Sequence, residues 1–510
     1  MTAKDGATDA TPEISHRQIL VIFSGLMLGM LLAALDQTIV TTALPTITGE
    51  LGGLNHLSWV VTSYLLAATV STPLYGKLGD LYGRKRLFQI AIVVFLVGSV
   101  LCGVAQSMGQ LIAFRAIQGI GGGGLMVLAM AIVAEVVSPR ERGRYMGYFG
   151  AVFGAAMIGG PLLGGFLTDQ VSWRWVFYVN LPLGVVALLV TAVVLPVSAV
   201  EPRPKVDYLG AALLTAAVTC LVLLTTWGGT EHKWGSPVIL GLGAATVALF
   251  GVLVAVERGA EEPMVPIHLF ANRSFNVSTS VSFVIGVALF GSISFLPLFL
   301  QVVNGASATN SGLLLLPLML GLLGSSTISG QVITRTGRYK AFPLAGCALA
   351  AVAMFLLSTM GTGTSKTTVT AYMVLMGIGL GLTIQTLILA AQNAVGRAEL
   401  GVATSSVSFF RSMGGSVGVA LFGALFNNLL GSRVALGEGA AVTPDAIRQL
   451  PEAARLPFIG AFADSLTTVF LWATPLLVLA FAITWLLREV PLRTTTDVVE
   501  TPVEVVAVAY

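Results

Sequence analysis

The chain reads as a succession of long apolar runs separated by short polar breaks. About fourteen such runs can be marked, at approximately 19–44, 58–78, 87–106, 109–135, 145–167, 175–196, 208–228, 236–256, 275–300, 311–333, 342–360, 369–392, 402–430 and 464–487. Each is long enough to cross a bilayer core of ~30 Å as a helix. Lipid offers backbone groups no hydrogen-bond partner, so a crossing segment is a helix or part of a closed barrel. Barrel strands would alternate apolar and polar positions, whereas these runs stay apolar throughout. The expected fold class is an all-α polytopic membrane protein with fourteen transmembrane helices.

One break stands apart. Gly76-Lys77-Leu78-Gly79-Asp80-Leu81-Tyr82-Gly83-Arg84-Lys85-Arg86 gathers four cations and one acid into eleven residues between the second and third runs. It is echoed by Gly330-Gln331-Val332-Ile333-Thr334-Arg335-Thr336-Gly337-Arg338-Tyr339-Lys340. The same offset aligns Ser71 with Ser325, Phe88 with Phe342 and Ala91 with Ala345. The chain thus reads as two related halves, each with this hinge after its second helix. Linker signals, Glu201-Pro202-Arg203-Pro204-Lys205 and Glu261-Glu262-Pro263, bracket two runs that fit neither copy. The expected division is a six-helix bundle at 1–200, an inserted helix pair with its linkers at 201–262, a second six-helix bundle at 263–490 and a tail at 491–510. The longest outside loop is expected at 431–463.

Charge then sets the orientation. With both termini cytoplasmic, 19 of the 27 Lys and Arg fall in inside segments and six outside, while Arg115 and Arg411 lie within runs. That excess follows the positive-inside pattern. The remaining composition sharpens the class. The chain of 510 residues is 55% hydrophobic and only 10% charged, against roughly 25% charged in soluble domains. A net charge of +3 is topogenic here and carries no message about nucleic acid. Cys102, Cys220 and Cys347 sit in three separate runs, so neither a disulfide framework nor a metal site is indicated. The polar start, 1–18, lacks a cleavable signal pattern, and the first run is expected to be retained. Gly361-Thr362-Gly363-Thr364-Ser365-Lys366-Thr367 faintly imitates a phosphate loop, but Ser365 stands where Gly is required and no strand precedes it, so no ATP site and no cofactor is expected.

Within the runs, polar residues carry the chemistry. Asp36 lies deepest in an apolar stretch. An Asp at a helix centre costs ~2.5–3.5 kcal/mol on insertion scales, so it needs a partner or a task. It reads either as a structural acid bonded to neighbouring helices or as a proton or substrate-cation site. Arg115 is a natural partner and shares a helical face with Gln118, Gly119 and Gly122. It could equally bond the carbonyls of a neighbour. The run Gly121–Gly124 and the glycines of the fifth run read as close-packing surfaces. Arg411 shares a stripe with Thr404, Ser408, Gly415 and Gly418, and either lines a cavity or satisfies carbonyls at a span end.

The hinge Gly76 to Arg86 resembles the loop motif of the major facilitator superfamily. Arg115-Ala116-Ile117-Gln118-Gly119 is similar to that superfamily's Arg-x-x-Gln-Gly pattern. Gly147, Gly160, Pro161, Gly164 and Gly165 are spaced like the antiporter motif of its drug exporters, with Ala156 where Gly is usual. Leu35-Asp36-Gln37-Thr38 through Pro45, and Trp173-Arg174-Trp175 through Pro182, resemble the fourteen-span drug:proton antiporter branch. The resemblance implies the major-facilitator fold, not an enzyme but a transporter acting as a monomer in the cell membrane of a bacterium, with a small-molecule substrate and protons as partners. It implies proton-coupled efflux of amphipathic drug-like or antibiotic compounds; the alternative is a proton-coupled uptake symporter for a small organic solute. Asp36 and Arg115 become the expected proton-coupling pair. Gln37, Tyr64, Gln118, Gln301, Gln385 and Arg411 become expected cavity contacts. Gly76, Asp80, Gly83, Arg84 and Glu135 become an expected conformational latch, with Asp80 facing the helix start near Gly401-Val402-Ala403 and Arg84 facing Glu135. Thr334 stands in the second hinge where the first has Asp80, so a one-sided latch is expected.

Overall fold

A computed structural model of the chain describes residues 16–51, 57–195, 206–229, 231–293, 295–305, 314–434 and 451–492. These segments are helical, as apolar runs that must satisfy their own backbone in lipid require. In chain order the helices are α1 (His16–Leu51), α2 (Leu57–Tyr82), α3 (Arg84–Gly103), α4 (Met108–Val136), α5 (Pro139–Gln170), the short α6 (Trp175–Tyr178), α7 (Asn180–Val194), α8 (Tyr208–Trp227) and α9 (Pro237–Glu257). They continue as α10 (Arg273–Ile293), the short α11 (Leu296–Val302), α12 (Leu316–Thr336), α13 (Ala341–Ser358), α14 (Lys366–Asn393), α15 (Leu400–Arg433) and α16 (Glu452–Trp485). Among the described residues, twelve helices are long and apolar enough to cross a membrane. Two further long helices, α2 with 26 residues and α10 with 21, pack in the same bundle without being among those twelve. No strand ladder occurs among the described residues; one isolated bridge joins Gly228 and His232.

Several run boundaries shift for local reasons. The sixth run is broken into α6 and α7, and the ninth into α10 and α11. α15 extends to Arg433, and α16 starts at Glu452 behind Pro451, whose fixed φ suits a helix entry. The expected loop 431–463 is therefore shortened from both sides, and its middle, 435–450, lies outside the described residues, as do the tail from 493 onward and the linker 196–205.

The helix pairing repeats. α1 packs on α5 and α7, α2 and α3 on α4, and α3 on α7. Downstream, α10 packs on α15 and α16, α12 and α13 on α14, and α13 on α16. The two hinges repeat in detail as well. Each turns on a glycine with positive φ, Gly83 at 91° and Gly337 at 71°. Lys85 donates to the Leu195 carbonyl at the end of α7 and Lys340 to the Trp485 carbonyl at the end of α16. A cation at the negative end of a helix dipole suits both places. Lys85 thus fastens α7 to the hinge. α8 lies against α2 and α15, and α9 against α8.

On the hinge side the two copies share one apolar core. Leu87, Phe88, Leu128 and Val133 of the first copy cluster with Phe275, Ile388, Ala391, Val402 and Val407 of the second. At the opposite end, Ile39, Ala43, Cys102, Leu111 and Phe177 form a cluster of first-copy residues alone. There Glu50 accepts hydrogen bonds from Arg174 and from the Trp173 indole at 2.7 Å, which hold its carboxyl below the usual range and tie the end of α1 to the turn after α5.

The two hinge glycines differ in ψ, and this gives a test. Gly337 has ψ 1°, near the left-handed helical region that Asn tolerates, whereas Gly83 has ψ 126°, which side chains avoid. Gly337→Asn is expected to shift thermal unfolding of the detergent-solubilised protein little. Gly83→Asn is expected to cost ~1–3 kcal/mol of local strain. Equal melting behaviour of the two variants would contradict the hinge geometry.

Candidate functional site

Asp36 sits in α1 with no exposed surface. α4 brings Arg115 and Gln118 to it from one face of the helix, three residues apart. Nη1 of Arg115 donates to Asp36 Oδ2, forming an ion pair, and also to Gln118 Oε1 at 2.8 Å. Gln118 Nε2 donates to Asp36 Oδ1 at 2.8 Å. Asn180, at the start of α7, donates to the same oxygen at 3.3 Å and to Ser99 of α3 at 3.0 Å. The Ser99 hydroxyl donates to the Phe177 carbonyl at 2.8 Å. Arg115 Nε donates to the Val60 carbonyl of α2 at 3.2 Å, and its guanidinium lies 4.3 Å from the centre of the Tyr64 ring. Five helices thus join one network around a carboxylate whose two oxygens are both engaged. A buried ion pair survives only with this kind of completion, because removing one partner strands a charge at a cost of ~3–5 kcal/mol.

Small residues let these groups meet. At Gly98 of α3 a Cβ would fall 2.5 Å from the Gln118 backbone nitrogen. At Gly119 a Cβ would lie 2.9 Å from the Tyr64 Cα, and at Gly122 the same distance from the Tyr64 ring. The glycines of α5 act on α1. Gly160 faces Thr38, and Gly164 faces Thr42 and the Ile39 carbonyl. Into the space at Gly160 fits the Thr38 hydroxyl, which donates to the Ala156 carbonyl at 2.9 Å. Ala156 itself packs with Ala34 and Leu35. The face of α5 that carries Gly160 and Gly164 therefore fixes the part of α1 adjoining Asp36. Pro161 lies within α5, and Gly165 has open space around it. Gly147 is on the same helix, where its surroundings lie outside the described residues.

A second constellation lies at the hinge. Arg84 donates from Nε at 3.0 Å and Nη2 at 2.6 Å to Asp80 Oδ1, and from Nη1 at 2.9 Å to Glu135 Oε2. Asp80 accepts the backbone amides of Gly401 at 3.0 Å and Val402 at 2.9 Å, the first turn of α15. An anion at a helix N-terminus meets free N–H groups and the positive end of the dipole. Gly76 makes the approach possible, since a Cβ there would meet Ser405 at 2.5 Å. The second copy uses the reverse polarity. Thr334 has no carboxylate to offer; instead Arg140, at the start of α5, donates to the Thr334 and Arg335 carbonyls at 3.1 Å, the closing turn of α12. Lys77 pairs with Glu262 at 2.6 Å, joining the end of α2 to the linker after α9.

The residues expected to line a cavity separate into two groups. Tyr64 and Gln118 are buried in the Asp36 network. Gln37, Gln301, Gln385 and Arg411 are partly buried. Asn180, Ser99 and Arg140 were not singled out from sequence. Asn180 had a usable signal, a polar side chain inside a run rich in aromatic and aliphatic residues. Ser99 had none, since serine is common in these helices.

A family model described as Major Facilitator Superfamily matches residues 26–419. An uncharacterised MFS-type transporter of Mycobacterium tuberculosis is 47% identical, over 96% of this chain and 72% of its own length. Multidrug resistance protein 3 of Bacillus subtilis is 37% identical, over 93% of this chain and 96% of that protein. Among solved structures, a proton:xylose symporter aligns with a TM-score of 0.61 at 16% identity, covering 93% of this chain and 96% of that one. The human organic anion transporter MFSD10 aligns with a TM-score of 0.63 at 16% identity, over 91% and 99%. At that identity these two likenesses concern the fold.

The α1–α5 contact predicts a graded response to added methyl groups. Gly160→Ala and Gly164→Ala should each destabilise by ~1–3 kcal/mol through overpacking against α1. Gly165→Ala, with nothing within 4 Å of the added methyl, should be neutral or stabilising. Thermal unfolding in detergent would distinguish the three; an equal loss at Gly165 would contradict the packing.

Proposed function

The chain belongs to the Major Facilitator Superfamily, and from that premise we propose that it is a proton-coupled exporter of amphipathic, drug-like compounds working by alternating access. One observation carries the mechanism: Asp36 is sealed from solvent within the first copy, and among the described residues Arg115 is the cation paired with it. Protonation of Asp36 removes that balance. The guanidinium then loses its counter-ion while the carboxyl loses its reason to hold Gln118 and Asn180 together. Helices α1, α4 and α7 share this network, so a proton on one oxygen alters their mutual packing. The pH gradient and the membrane potential supply the energy; each charge crossing 100 mV gains ~2.3 kcal/mol. Because Asp36 is closed off in this conformation, the proton enters and leaves in another.

The outward direction rests on relatives named as multidrug proteins, at 37% and 39% identity. The likeness to a sugar symporter is one of fold and gives the uptake alternative no comparable support. The proposed arrangement is fourteen spans, adding α2 and α10 to the twelve apolar helices. The first bundle is 1–200, the second 263–490, and α8 and α9 with their linkers (201–262) are an added pair packed beside α2 and α15. The hinge side is taken as cytoplasmic in the plasma membrane, with both termini inside. On that reading the shared core, the Asp80–α15 contact and the Arg140–α12 contact all close the cytoplasmic side, and the structure is the outward-facing state. Asp80, Arg84 and Glu135 form the latch of that state, and opening inward requires the amides of Gly401 and Val402 to leave Asp80. One chain holds both bundles and both hinge-side contacts between them, so the monomer is the proposed working unit.

Two experiments test this reading. In proteoliposomes, Asp36→Asn is expected to abolish proton movement on substrate addition and to lower the melting temperature by unpairing Arg115. The double variant Asp36→Asn/Arg115→Gln should recover stability, since both charges are gone, yet remain uncoupled. Parent-rate exchange by either variant would place coupling elsewhere. For the latch, Asp80→Asn should slow turnover and lengthen the interval between spin labels on the hinge-side ends of α2 and α15. An unchanged distance distribution with normal transport would remove the latch.

A further inference from the structure

Two arginines lie deep in the spans, and they are treated differently. Arg115 is enclosed by its network. Arg411 lies eleven residues into α15, ~17 Å from the helix start at 1.5 Å per residue. Among the described residues it forms no hydrogen bond, ion pair or ring contact. Arg411 is only partly buried, and its nitrogens are not among the sealed buried atoms. Its guanidinium is therefore open to a partner from outside the chain.

The backbone that carries Arg411 is fixed although the side chain is not. Gly286 of α10 lies against its carbonyl, and a Cβ at Gly286 would fall 3.0 Å from the Gly415 nitrogen. Gly414 and Gly418 seat the same stretch on the carbonyls of Phe283 and Val287. A charge on a rigid, closely packed helix, left without a partner, is expensive in the membrane interior. Among the described residues the helices beside it offer none: α10, α11, α12, α13, α14 and α15 contain no Asp or Glu, and Glu399, just before α15, is engaged by His268. In α16, Glu452 is in the first turn and Asp464 is exposed. Asp36 is already held by Arg115. Ser408, three residues before Arg411 and on the same face, adds a buried hydroxyl with no hydrogen-bond partner among the described residues. A planar guanidinium fork beside a free hydroxyl matches a carboxylate or sulfonate.

We propose that Arg411 is the anion-recognising residue of the translocation path, and that the exported compounds include amphipathic organic anions whose carboxylate or sulfonate pairs with its guanidinium. The inference rests on the exporter reading above and narrows its substrate class. It also assigns the two deep arginines different work, Arg115 to the proton site and Arg411 to the cargo.

The test uses a matched pair of probes, dansylaminoundecanoate and its methyl ester, which differ in one charge. Transport into inside-out proteoliposomes under an imposed pH gradient gives kcat/KM for each. The acid-to-ester ratio is expected to fall at least tenfold in Arg411→Gln and to recover in part in Arg411→Lys, which keeps the charge without the fork. A ratio unchanged within twofold in Arg411→Gln overturns the proposal. If neither probe moves, the exporter reading fails, and the anion site is judged on binding by the purified protein. Arg411-dependent binding of the acid supports it, and equal binding by parent and variant overturns it.

Discussion

A carboxylate buried away from water between membrane-spanning helices has to be satisfied completely or not be charged. Asp36 meets that condition through three side chains drawn from two other helices, α4 and α7. The rest of the first copy follows from it. Arg115 needs the Val60 carbonyl and the Tyr64 ring, which fixes α2. Gln118 and Asn180 need Ser99, which fixes α3. The glycines at 98, 119 and 122 are the clearance that lets these polar groups reach one another without a strained backbone. A network of this kind is well suited to report a single proton, because every helix in it has a stake in the charge of one oxygen.

The hinges put a second electrostatic rule to work. Helix ends carry partial charges of opposite sign, and each cross-contact on the hinge side places a side chain of the matching sign against one. Asp80 meets the start of α15, and Arg140 meets the end of α12. The internal repeat is thus preserved in geometry and inverted in chemistry. Such contacts are strong while amides and carbonyls stay aligned and are lost when the helix end moves by a few ångströms. That distance dependence suits the proposed latch. The apolar core shared on that side adds non-directional adhesion that the polar contacts orient.

Helices α8 and α9, the proposed added pair, follow simpler physics. α8 buries Leu214, Val218 and Val222 against Phe409 and its neighbours, whereas α9 buries few residues. Lys77 and Glu262 connect the linker after α9 to the hinge. The pair is consequently attached to the side of the bundle near α2 and α15.

Much of the fold was legible in the chain, because lipid leaves a long apolar run one way to satisfy its backbone. The helices, the repeat centred on Gly83 and Gly337, and the contact of Asp80 with the segment at Gly401 could all be read from residues, the last through resemblance. Asp36 and Arg115 were legible as a pair, since two costly charges in one half invite each other. Their closure was not legible. Asn180 and Ser99 join the network because of how α3 and α7 rotate against α4, and rotation depends on side-chain packing that no local pattern records. The same holds for Tyr64 and Gln118, placed by sequence beside a cavity and by the structure inside a sealed network. Arg140 took the place of the missing acid at Thr334 through the crossing of α5 and α12, residues about 190 positions apart in the chain. Arg411 shows the division most clearly. The sequence determined that a charge lies in the membrane interior. Only the tertiary structure decided that it has no partner among the described residues, because a missing contact is a property of every neighbour at once.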